Sequence, residues 1–383
     1  MNGAELQRGD QLQVRAELVD TRDKTQMWGE QYNRKATDFF AVQSEISQQI
    51  AEKLRLRLTN AEQQQIVNEA KANPQAAMLV LEGRFYGMEN TKEGLGKYIE
   101  LCNQAITIDP NYALAYVRLA DAYRLLSLKE PQAALKAEEA ALRALQLDDS
   151  FAEAHYILAQ LKGDAWVWGE AERENKRAIE LNPSLADAHY GYAFYLSSMG
   201  RHVEAIAEQN LAKELNPLLP RVIMSEGVML YNARQYDQAI EKYRRALDVI
   251  PAYIPAHEYL GYAYAMKGRY GEAIAEYKEA LKHGDNPSAQ CYMGYAMAIS
   301  GQRNEALAIL KQLQSGQVDY VSPAELAILY AGLGEKEQAL AALEKAYAAH
   351  DSQMQYLKVE PHYDSLRSDP RFTDLLRKVG LTP

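Results

Sequence analysis

Histidines, cysteines, paired carboxylates and a glycine-flanked lysine are the residues of this sequence that could perform chemistry, and their spacing argues against each such use. His155 and His189 stand 34 residues apart, and His257 follows at twice that interval. Zinc bonds to imidazole are about 2 Å long, so a shared metal would need these side chains to converge. The interval instead puts each on its own structural unit, about one helix-pair width from the next, and the three read as packing residues. Cys102 and Cys291 belong to no metal or nucleophile motif. Glu93-Gly94-Leu95-Gly96-Lys97 lacks the spacing of a phosphate loop and reads as a helix start. Glu138 and Glu139 are neighbours on a helix, point in different directions and suit a solvated face better than an acid/base pair. The expectation is therefore no catalytic residues, no cofactor and no metal.

Composition narrows the partners. Of 383 residues, 48% are hydrophobic, and 42 Lys and Arg oppose 52 Asp and Glu for a net charge of −10. An acidic chain without a basic block is unsuited to nucleic acid. No apolar run approaches the length of a membrane span, and the first residues carry no signal-peptide pattern. The expected location is cytoplasmic, or periplasmic if an upstream segment carries a membrane helix. Tyrosine is over-used, 26 against 6 Phe and 3 Trp, which points to repeated placement.

Pro183, Pro217 and Pro251 give the period, 34. In that frame one column holds Ala120, Ala159, Ala193, Gly227, Gly261, Gly294 and Ala327. A second is alanine throughout, at 137, 171, 205, 239, 273, 306 and 339, and a third runs Ala105, Ala144, Ala178, Ala212, Ala246, Ala280, Leu313 and Ala346. Small residues at fixed columns let antiparallel helices approach closely. Gly200, Gly268, Gly301 and Gly334 recur where a helix must end in the left-handed conformation. Trp168 reads as packing into the helix-helix wedge, and Trp166, which replaces this glycine, as either a packing lid or an exposed contact.

This pattern resembles the tetratricopeptide repeat (TPR). The resemblance implies a mainly α fold, a right-handed superhelical solenoid of about eight helix-turn-helix units: 79–112, 113–151, 152–185, 186–219, 220–253, 254–286, 287–319 and 320–353. The second unit carries about five extra residues around Ser127 to Pro131. Coupling between neighbouring units only is expected. Residues 354–383 read as a helical cap, and Glu360 to Phe372, with Asp369-Pro370-Arg371-Phe372, resembles the closing motif of bacterial TPR effector proteins.

The first sixty residues follow another period. Leu12, Val14, Ala16 and Leu18 alternate with polar residues, and turns at Arg8-Gly9-Asp10 and Thr21-Arg22-Asp23-Lys24 bound a three-stranded meander. Phe39, Val42, Ile46, Ile50, Leu54 and Leu58 then form the stripe of an amphipathic helix. Gln7-Arg8-Gly9-Asp10, Trp28-Gly29-Glu30-Gln31-Tyr32 and Asp38 to Ile46 resemble the second half of a TolB N-terminal-like domain. That resemblance implies a Ser/Thr kinase, nucleotide cyclase or winged-helix module upstream, and the chain is expected to be a fragment or a truncated gene product. Residues 61–78 read as a helical linker.

The TPR resemblance also assigns an inner groove. Its columns hold Tyr156, Tyr190, Phe194, Tyr231, Tyr262 and Tyr295 with Asp121, Glu153, Asp187 and Glu258, opposed only by Arg124 and Arg221. The expected groove is aromatic and acidic, suited to a cationic peptide or helix with apolar anchors. Val117, Tyr156, Tyr190, Met224 and Glu258 fill the column of the family's carboxylate-clamp lysine, which disfavours that mode. The leading expectation is a non-catalytic scaffold or sensor module of a bacterial signalling protein that binds a protein or peptide partner. The alternatives are the regulatory tail of a kinase, cyclase or transcriptional regulator, and self-association through an open sheet edge.

Overall fold

The structure, a computed structural model, describes residues 2–8, 11–19, 26–35, 42, 45–46, 49–50, 72–128, 130–216, 220–282, 284, 286–315 and 320–381. Three strands open the chain: β1 (Asn2–Arg8), β2 (Gln11–Val19) and β3 (Gln26–Lys35). They pair antiparallel in sequence order, with Glu5 opposite Val14 and Val14 opposite Tyr32. Ala16, Trp28 and Tyr32 form a small core with the helical residues Val42 and Ile46, and Val14 and Ile50 pack at its edge. The Trp28 indole N–H donates to the Gln49 side chain at 3.0 Å, tying strand to helix. The side chains of Leu12 and Leu18, and Phe39, Leu54 and Leu58 of the expected helical stripe, lie outside the described residues, as does the linker as far as residue 71.

Among the described residues sixteen helices follow in eight consecutive pairs. The first four are α1 (Pro74–Gly87), α2 (Lys92–Ile108), α3 (Ala113–Ser127) and α4 (Ala133–Leu147). Next come α5 (Ala152–Asp164), α6 (Trp168–Leu181), α7 (Ala186–Ser198) and α8 (His202–Leu215). The third group is α9 (Pro220–Asn232), α10 (Tyr236–Val249), α11 (Ile254–Met266) and α12 (Tyr270–Leu281). The last is α13 (Pro287–Ile299), α14 (Arg303–Leu313), α15 (Pro323–Leu333) and α16 (Lys336–Ala348). The first pair begins at Pro74, five residues before the expected boundary. Asn73 caps it by accepting from the Gln75 and Ala76 amides, and proline is suited to the first helical position.

The cap is less helical than expected. Residues Ser352–Tyr356 and Pro361–Leu366 are 3-10 turns, and only α17 (Pro370–Lys378) is an α-helix. Asp351, Glu360 and Asp369 each accept an amide two residues on, which caps the two short turns and α17.

The small-residue columns are buried. Every alanine of the second column is wholly inaccessible, and Leu313, the exception in the third, is also covered. Contact at these columns is tight: a Cβ on Gly227 would stand 2.4 Å from the Tyr243 ring, and one on Gly261 2.5 Å from Tyr277. The turn glycines 200, 268, 301 and 334 have φ between +72° and +90°. Trp166, at +59°, and Arg234, at +64°, occupy the same column without glycine's freedom.

The chain divides into two compact units, Met1–Leu161 with Arg177–Pro183, and Lys162–Lys176 with Ser184–Pro383. They are called unit 1 and unit 2 below.

Gly261→Ala drives a methyl into Tyr277 and is expected to destabilise by about 1–3 kcal/mol. Gly96→Ala meets nothing within 4 Å inside α2 and is expected to stabilise by about 0.5–1 kcal/mol. Denaturant melts of the two variants check the contrast, and equal shifts would contradict it.

Candidate functional site

In unit 2 the first helices of three successive pairs, α9, α11 and α13, present tyrosines to the chain's own C-terminal segment, and α15 presents a backbone carbonyl. The Tyr231 hydroxyl donates to Glu360 at 3.1 Å and lies 3.2 Å from His362 Nδ1. The imidazole of His362 meets Tyr292 and Tyr295 edge-on, with centroids 4.9 and 4.6 Å away, and Tyr262 at 6.0 Å. Tyr363 donates its hydroxyl to the Ala324 carbonyl at 2.8 Å. Arg234 makes a bidentate pair with Asp364 at 2.7 and 2.8 Å. Its left-handed backbone belongs to the turn that carries this pair.

The far end of the segment is fastened as well. The Trp168 indole N–H donates to the Val379 carbonyl at 2.7 Å, and a Cβ on Gly380 would press on the same ring. Trp166 stacks on His350 at 3.8 Å and on Tyr347 at 5.7 Å. Both tryptophans therefore pack, but against the C-terminus. This corrects the expectation of neighbour-only coupling, because Trp168 and Val379 are 211 residues apart. Glu172, one turn after Trp168, gathers Lys176 at 2.8 Å and Arg201 at 2.7 Å, with the Tyr192 and Tyr195 hydroxyls at 3.3 and 3.4 Å. Lys176 and Arg201 hold its carboxyl down to about 2.

The expected groove is thus brought together only in part. Tyr231 is 1% exposed and Tyr262 7%, and these two and Tyr295 serve the C-terminal segment, so they do not line an open groove. Tyr190 and Phe194 stay half-buried with rings 4.8 Å apart, beside half-buried Asp187. Glu258 accepts from the Asn286 amide at 2.7 Å. The side chain of Arg221 lies outside the described residues. In unit 1, Asp121 pairs with Arg124 at 2.9 Å, Arg124 sits 5.8 Å from the centroid of the Tyr156 ring, and Glu153 pairs with Arg118 at 3.7 Å. Arg118 was missing from the expected balance, so this part of the face is charge-compensated where sequence columns suggested net acidity.

The histidine column has a use beyond filling space. His189 Nδ1 lies 2.6 Å from Glu208 and His257 Nδ1 2.7 Å from Glu276, each glutamate nineteen residues on, across the helix pair. The repeated nineteen-residue interval was the available signal. Among the described residues no group of three His, Cys, Asp or Glu could hold a metal ion. Both cysteines are buried, and burial raises their thiols well above the usual range.

Three carboxylates that sequence reasoning left out or placed elsewhere meet under the segment. Burial alone would raise Glu360, but His362 Nδ1 at 2.6 Å, the His362 amide and the Tyr231 hydroxyl hold it below its ordinary value. Burial raises Glu258 despite Asn286. Glu325, 8% exposed, is pushed up to about 7 by burial, with Asp351 and Glu258 adding to the shift and Ser288 opposing it.

Helix pairs at a 34-residue period, with buried small-residue columns and left-handed turns, define a tetratricopeptide-repeat fold. The tetratricopeptide repeat family model matches residues 226–289. A protein of Rhizobium meliloti (strain 1021) named "Putative adenylate cyclase 3" is 28% identical over 164 residues, 42% of this chain. The chain spans 28% of that relative's length. Among solved structures, yeast Tom70 has a TM-score of 0.49 at 14% identity, covering 79% of this chain and 67% of that one. PilW, a widely conserved type IV pilus biogenesis factor, has 0.48 at 19%, covering 56% and 96%. No helix among the described residues is long and apolar enough to cross a membrane.

Glu325 titrates near 4.5 when unfolded and near 7 when folded, so the native state holds an extra proton in that window. Its contribution to stability is expected to fall as pH rises from about 4.5 to 7 and to level off above, by roughly 3 kcal/mol in all. Glu325→Gln keeps the volume and removes the titration. The variant should match the parent near pH 4.5 and exceed it at pH 8 in denaturant melts.

Proposed function

We propose that the chain is a non-catalytic TPR interaction scaffold whose partner is a protein segment, cationic with apolar anchors. The observation that carries this reading is the way unit 2 already holds polypeptide. Its first helices grip residues 352–366 through tyrosine rings, the Tyr231–Glu360–His362 link and the Arg234–Asp364 pair. A surface that binds its own chain so has the chemistry to bind another, and Asp187, Tyr190 and Phe194 are the part of it left half-exposed. Tyrosine and phenylalanine supply contact area at small entropic cost, whereas an exposed carboxylate adds about 0–1 kcal/mol and chiefly steers association.

A second reading rests on the cyclase-named relative and the N-terminal unit. The described strands and helical residues follow the strand-strand-strand-helix order of the TolB-like resemblance. In that reading the array is the regulatory part of a larger bacterial signalling protein. Self-association through an edge of the sheet is a third and rests on the two outer strands alone.

A binder selected by peptide display on the full chain is expected to be rich in Lys or Arg with aromatic or aliphatic anchors. Tyr190→Ala with Phe194→Ala should weaken it at least tenfold, mainly in dissociation rate. Asp187→Lys should change mainly the association rate and its salt dependence. Unchanged binding in both variants would move the interaction away from this face.

A further inference from the structure

Beneath the C-terminal segment of unit 2 lies a cavity of about 160 Å³. Its walls carry the rings of Tyr231, Tyr259, Tyr262, Tyr292 and Tyr356. Those rings stand at different angles: Tyr262 stacks on Tyr292 at 3.9 Å and meets Tyr259 edge-on at 5.1 Å. Glu258, Glu325 and Glu360 reach the same space, and no lysine, arginine or histidine lines it. Glu360 is answered by His362. Glu258 receives only the neutral Asn286 amide, Glu325 has Ser288 as its neighbour, and neither pairs with a cation among the described residues. Glu325 is more than nine-tenths buried.

Carboxylates taken out of water without a counter-charge are costly, and a well-placed cation offsets part of that cost. A metal ion is a poor match, since no group of three His, Cys, Asp or Glu among the described residues could hold one. Tyrosine faces attract organic cations through the ring quadrupole, and best where water is excluded. The volume is close to that of a cavity known to hold benzene, about 150 Å³, so the occupant has roughly six to eight non-hydrogen atoms.

We infer that this cavity binds a small organic ammonium ion, its charge answered by Glu258 and Glu325 and its methylene or methyl groups by the tyrosine faces. Gln353, Tyr356 and Glu360 of the C-terminal segment form part of the wall, so occupancy fastens that segment to the first helices. The inference does not depend on the partner proposed above, because Asp187, Tyr190 and Phe194 are not among the residues that line this cavity.

The test uses the full chain with 1,4-diaminobutane, n-butylamine and choline as probes, and 1-butanol and butyrate as size-matched neutral and anionic controls. Calorimetry and thermal melts are the readouts. At least one amine is expected to bind and raise Tm while both controls do neither. Glu325→Gln and Glu258→Gln should each weaken binding about tenfold or more, as expected for loss of a charged hydrogen bond. Glu305→Gln, on an exposed helix face, should leave it unchanged. If 1-butanol binds as well as the amines, or no amine binds at millimolar concentration, the inference fails. Should a glutamine variant not fold, the comparison of amines with their neutral and anionic analogues on the parent chain decides the matter alone.

Discussion

A tyrosine ring pressed against a glycine backbone sets the distance between paired helices, and much of unit 2 depends on that distance. Tyr243 on Gly227 and Tyr277 on Gly261 leave no room for a methyl group. Both rings are fully buried, and their hydroxyls find no hydrogen-bond partner among the described residues. An unsatisfied buried hydroxyl costs about 1–3 kcal/mol, so ring packing must outweigh it here. Close pairs bring the next tyrosines, 231, 262, 292 and 295, near enough together to share one imidazole, that of His362. The C-terminal segment docks on a surface whose spacing was fixed further out, at the glycines.

That docking explains why the charged groups of unit 2 behave so differently. Lys176 and Arg201 hold the Glu172 carboxyl down, and His362 with the Tyr231 hydroxyl holds that of Glu360 below its ordinary value. Glu325 is hidden more deeply than either and pairs with no cation among the described residues, so burial pushes its carboxyl up to about 7. Burial is common to Glu325 and Glu360, and the partner decides the outcome.

How much could be read from the sequence follows from the range of each interaction. The alanine and glycine columns are contacts within or between adjacent helix pairs, and a 34-residue period exposes them directly. The turn column showed Trp166 as a replaced glycine, yet Arg234 in the same column passed unnoticed because arginine at a turn looks ordinary. The helix start at Asn73-Pro74 was also legible, but a frame anchored on alanines does not see caps. The docking of Glu360 and His362 on Tyr231 was not legible. It depends on how small rotations accumulate over several pairs, and no local pattern records that sum. The same blindness made the tyrosine columns look like an open groove. In unit 1 the error was different: Arg118 lies outside the inner columns by sequence position, and its length lets it reach Glu153 regardless.

The bond between Trp168 and the Val379 carbonyl joins positions 211 residues apart, and with it the stretch between them becomes a circuit. An open row of repeats tolerates gain or loss of a unit, because each unit touches only its neighbours and the ends are free. A circuit does not. One extra helix pair between Trp168 and Val379 would carry the C-terminus past its tryptophan, and one fewer would leave it short. Duplication and deletion, the ordinary routes by which repeat proteins change length, are therefore closed to this part of the chain, while pairs before the third remain outside the constraint.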